Sequence, residues 1–173
     1  ATGTLLSGAG GRRNMIINGA MQVSQRGTSL SGIDTSTELE KWIIDRWSLA
    51  GDDAGAWTMS QDTNSPDEFG SSLKIDCTTA KASLDANTYM YLSHKIEAQN
   101  LQQLAYGTSS AKAITLSFWV KSPKTGTHIV EIYHGDSGGT SLRKNSRSYT
   151  VSIADTWEKK EVTWTGSSAV NEI

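Results

Sequence analysis

Hydrophobic and polar residues alternate in short runs along much of this chain. The clearest run is residues 113–122, where Ile114, Leu116, Phe118 and Val120 fall on one side and Thr115, Ser117, Trp119 and Lys121 on the other. Alternation with period two predicts a strand with one face buried and the other open to solvent or a ligand. Further runs predict strands over residues 15–23, 42–49, 56–61, 73–77, 90–96, 127–133, 149–153 and 159–165. The first is interrupted at Asn18-Gly19, a tight-turn or bulge signal. Residues 98–104 predict a helical turn, with Leu101 and Leu104 three apart.

Between these runs the chain turns polar. Residues 1–13 (ATGTLLSGAGGRR) are small and Gly-rich and read as a linker or anchoring arm. Residues 27–41, 61–71 and 135–147 read as loops. About nine short strands with almost no helix make an all-β fold, an antiparallel two-sheet sandwich over residues 14–173. The apolar sides assign Trp47, Trp57 and Trp164 to the core and make Cys77 a small core residue. Asp45, inside Ile43-Ile44-Asp45-Arg46-Trp47, is expected to pair with an arginine or to be a buried structural carboxylate.

Composition narrows the function. The net charge is -2, with no basic excess to neutralise phosphates, so nucleic acid is not an expected partner. No apolar run approaches the roughly 18 to 20 residues of a membrane helix. A single cysteine excludes an internal disulfide, which suits assembly in a cytoplasm. The chain begins at Ala1 and stops shortly after a strong strand, and is expected to be a processed chain or a piece of a longer one.

Catalytic motifs are weak. Gly135-Asp136-Ser137-Gly138-Gly139 matches the loop around the nucleophile of trypsin-like proteases, but that chemistry needs a base and an orienting carboxylate. His94 and His128 lack the expected context and His134 is too near, so the motif is expected to be a hairpin loop. The three histidines lack zinc-site spacing. Asp62, Asp67 and Glu68, with Asp52-Asp53, are loop carboxylates of the kind that ligates calcium. Solvated loop charge is the commoner use of such a cluster, so no cofactor is expected and calcium is the alternative. Ligand chemistry falls instead to aromatics lying opposite an apolar set. Trp119 and Tyr91 are the two candidates, because sugar rings present C–H faces to aromatic planes while hydroxyls seek a few polar groups.

Residues 14–19 (NMIING), 72–75 (SLKI), 116–121 (LSFWVK) and Trp157 with the strand after it resemble the jelly-roll carbohydrate-binding modules. More broadly, residues 13–29 (RNMIINGAMQVSQRGTS), 45–47 (DRW), 96–104 (IEAQNLQQL), 107–111 (GTSSA), 116–121 and 156–160 (TWEKK) resemble a family of virion appendage proteins. That family is common in marine phages and is usually regarded as tail-fibre protein. The resemblance implies a jelly-roll sandwich, a location on the phage particle, other virion proteins as partners, a homo-oligomer (a trimer) and contact with host-surface glycan, without catalysis. The family continues through several further strands, so the sandwich is expected to be incomplete at its C-terminal end. A capsid decoration, head-fibre or connector protein is the alternative, and a glycosidase or protease the remotest one.

Overall fold

Strands form where the apolar side of an alternating run meets a second apolar surface. The computed structural model describes residues 14–35, 40–135 and 142–168. Its strands are β1 (Ser29–Asp34), β2 (Lys41–Trp42), β3 (Trp47–Asp52), β4 (Ala56–Asp62), β5 (Ser72–Thr79), β6 (Tyr89–His94), β7 (Ile114–Val120), β8 (Gly126–Gly135), β9 (Leu142–Val151) and β10 (Glu158–Trp164). All pairings are antiparallel, in the orders β1-β4-β5, β2-β3-β6, β7-β10 and β8-β9. Two 3-10 turns, Ala98–Asn100 and Gln102–Leu104, occupy the place where a helical turn was expected. The protein is therefore all-β among its described residues. It divides into two compact units, Ala1–Ile96 and Glu97–Ile173.

In the first unit, both three-stranded sheets supply the core. Ile33 of β1, Leu49 of β3 and Met59 of β4 cluster with Ile43 and Ile44, and Trp47, Trp57, Leu73, Ile75 and Met90 pack around them. Each fully buried aliphatic side chain contributes about 1.5–3 kcal/mol through lost apolar hydration. Thr35 closes one end of the unit. Its buried hydroxyl donates to Gly55 O (2.8 Å) and accepts from Ala54 N (2.7 Å), which fixes the β3–β4 turn against the end of β1. Gly55 sits at φ +87°, and a Cβ there would lie 2.3 Å from Thr79 O, so only glycine fits.

In the second unit, Trp164 and Val162 of β10 and Val151 of β9 are buried. The Trp164 indole donates to Asn145 O (2.8 Å), and Arg147 Nε donates to Thr163 O (3.1 Å), joining β9 to β10 by side chains. Phe118 meets Tyr149 edge-on at 5.0 Å, and Tyr149 stacks on His128 at 5.4 Å. Burial raises the Tyr149 hydroxyl above its ordinary value of 10.0.

Four expectations are corrected. Residues 15–23 do not form a strand, because the Asn18 side chain builds a turn instead. Asn18 has φ +56°, its Nδ2 donates to Val23 O (2.9 Å) and Asp45 O (3.0 Å), and its Oδ1 accepts from Val23 N (3.0 Å). The run 42–49 is two strands, interrupted by a turn in which Arg46 takes φ +77°. The polar stretches 27–41 and 135–147 contain β1 and the start of β9, held by ladders to β4 and β8. Cys77 is exposed rather than buried, because the covered part of β5 ends near Ile75. Asp45 does pair with an arginine, Arg26 Nη1 at 3.0 Å, and also accepts from Gln25 N at 2.9 Å.

Candidate functional site

β7 and β10 run side by side over seven residue pairs, from Val120 opposite Glu158 to Ile114 opposite Trp164. The register turns Ile114, Leu116, Phe118, Val120, Val162 and Trp164 to the covered side. It leaves Thr115, Ser117, Trp119, Lys159, Glu161 and Thr163 on the other side, every one of them exposed. Trp119, at 40% exposure, is the only aromatic among these six. Thr115 and Thr163 face each other across the ladder and share a hydrogen bond of 2.9 Å between their hydroxyls. Here a bare indole is surrounded by hydroxyls, with Lys159 and Glu161 beside it on β10.

The hairpin leading into β10 keeps this ribbon in place. Glu158 accepts from the backbone N–H groups of Ser152 (2.8 Å) and Ile153 (3.0 Å) and pairs with Lys160 Nζ (2.7 Å). The Lys160 bond first, then these amides, lower its carboxyl from 4.5 to about 2. Farther along, Gly166 passes close to the backbone of Ala111, where a Cβ would fall 2.5 Å from its carbonyl carbon.

Tyr91 lies in the other unit, on β6, so the two sequence candidates belong to separate units. It is 39% exposed, and Tyr89, at 37%, stacks with it, the rings 6.0 Å apart and 12° from parallel. On the same face Ser48 and Ser93 bond through their hydroxyls (2.7 Å). The i, i+2 spacing of Tyr89 from Tyr91 is the sequence signal for this pair, which parity at Tyr91 alone does not reveal. No local sequence pattern marks Lys159 and Glu161, because only the cross-strand register places them beside Trp119 and Ser117.

The remaining candidates are not gathered into a site. Asp62 Oδ1 accepts from Asn64 N (2.7 Å), an Asx turn, and Glu68 takes φ +73° within the same loop. Among the described residues no group of three or more His, Cys, Asp or Glu side chains is placed to hold a metal ion. His94 Nε2 lies 3.1 Å from Ile17 N and its ring meets Trp47 edge-on at 4.9 Å, a packing role. The motif at 135–139 falls mostly in residues 136–141, outside the described residues, as do residues 1–13. No described helix is long and apolar enough to cross a membrane. Comparison with models of known protein families, with curated proteins and with solved structures returns no match.

Proposed function

We propose that this chain belongs to a virion appendage of a bacteriophage, tail fibre or tail-associated, and contacts host-surface glycan through the outer face of β7–β10. The observation that carries the glycan reading is Trp119, an exposed indole set among Thr115, Ser117 and Thr163 on an otherwise polar sheet face. An aromatic plane takes the C–H face of a sugar ring, and nearby hydroxyls replace part of the water around the sugar's own hydroxyls. Such a contact requires no general acid, base or nucleophile, in keeping with a non-enzymatic role. The phage assignment rests on the motif resemblance alone, as do the jelly-roll arrangement and the homo-trimer. Binding at one such face is weak, and repetition in an oligomer raises it by effective concentration. Tyr91, with Tyr89 beside it, is a second contact point on the other unit.

The test is affinity electrophoresis of the full chain through gels containing host-surface polysaccharide. Trp119→Ala is expected to weaken retardation about tenfold, the loss of one aromatic anchor. Equal retardation of Trp119→Ala and the unaltered chain would make Trp119 a structural residue and remove the reading.

A further inference from the structure

The β7–β10 face carries charge in a particular order, which bears on the kind of sugar it takes. Lys159 stands directly opposite Trp119 in the ladder, and cross-strand partners have Cβ atoms about 5 Å apart. Glu161 lies on the same face one step along β10, about 7 Å farther, opposite Ser117. Both are exposed, and neither makes an ion pair with another described residue. We infer that this face binds a uronate-bearing glycan, its ring on Trp119, its carboxylate on Lys159 and a free hydroxyl donating to Glu161.

This assignment rests on the glycan reading above and adds the substrate class. A neutral sugar can accept hydrogen bonds from the Lys159 ammonium but brings no charge to balance it. A heavily sulfated one would bring anionic groups against Glu161, whose carboxylate only accepts hydrogen bonds. A uronate satisfies both ends, because it has one anionic group and retains hydroxyl donors.

The experiment compares retardation of the full chain by polygalacturonate, dextran and dextran sulfate at low and high salt. Polygalacturonate is expected to bind at least about threefold more tightly than dextran, the scale of one exposed ion pair. That advantage should vanish in high salt and in Lys159→Gln, and return in Lys159→Arg. Glu161→Gln should improve binding of dextran sulfate while weakening polygalacturonate. Equal affinity for polygalacturonate and dextran, or a Lys159→Gln protein that keeps the preference, overturns the uronate assignment and leaves the glycan reading standing. Tightest binding to dextran sulfate, unaffected by Glu161→Gln, also overturns it, since simple attraction to negative charge would explain that result. Retardation by none of the three polymers overturns the uronate assignment, and retardation indifferent to Trp119→Ala overturns both readings together.

Discussion

Replacing Thr35 with valine keeps the shape of the side chain and removes its hydroxyl. Two hydrogen bonds go with it, the one donated to Gly55 O (2.8 Å) and the one accepted from Ala54 N (2.7 Å). Gly55 O keeps a second donor, Thr35 N at 3.3 Å, so losing the first bond costs about 1 kcal/mol. The part-buried N–H of Ala54 keeps none, and an unsatisfied donor costs about 1–3 kcal/mol. The added methyl offsets up to about 0.8 kcal/mol. Thr35→Val is therefore expected to destabilise the first unit by about 2 kcal/mol, read as a lower urea midpoint at unchanged slope. Hydrogen exchange at Ala54 N–H should quicken about thirtyfold, the same free energy expressed as an opening equilibrium. Thr35→Ser is the control, because it keeps both bonds and loses only Cγ2. It is expected to cost less than about 1 kcal/mol. A valine variant as stable as the unaltered chain, beside a destabilised serine variant, would show that methyl packing rather than the hydroxyl holds this corner.

Other outcomes follow from burial and charge. Met59 is fully buried between the two sheets of the first unit, so Met59→Ala should cost about 2–5 kcal/mol in chemical denaturation. Glu158 has a folded value of about 2, below its ordinary 4.5, so it stabilises the hairpin fully above about pH 4.5, and that support is lost as pH falls through about 2. The amide resonances of Ser152 and Ile153 should titrate with a midpoint near 2, and a midpoint near 4.5 would mean that the Glu158 contacts are not made in solution. In Glu158→Gln that titration should disappear.

Strands with strict alternation were legible in the sequence, and β7 is the plainest case. Ile114, Leu116, Phe118 and Val120 need only a covering surface, and the exposure of Trp119 follows from the same parity. β1 was hidden because its apolar residues, Leu30 and Ile33, are three apart, and a register shift between them restores the facing only in the folded sheet. The start of β9 was hidden because most of its residues are polar, its order coming from the ten-residue ladder to β8, whereas its end falls in the alternating run 149–153. Cys77 misled because parity tells which way a side chain points and not whether anything covers it. The Trp119 site was half visible for a similar reason. The indole belongs to one strand's pattern, whereas Lys159 and Glu161 join it through pairing with a strand some forty residues away, which no local pattern encodes.

The Asn18 turn has a consequence for the chemical ageing of the protein. An asparagine followed by glycine is the pair most prone to deamidation, because the next backbone nitrogen easily attacks the side-chain amide and closes a succinimide ring. Here both ends of that amide are held, Nδ2 by the carbonyls of Val23 and Asp45 and Oδ1 by the Val23 amide, while Asn18 O accepts from the Trp47 indole. The rotation needed for ring closure would break these bonds, so the folded chain protects its own most labile peptide. Once this segment opens the protection is gone. An aspartate formed there could not donate to the two carbonyls and would set a negative charge against them, so each deamidation would hinder the turn from closing again.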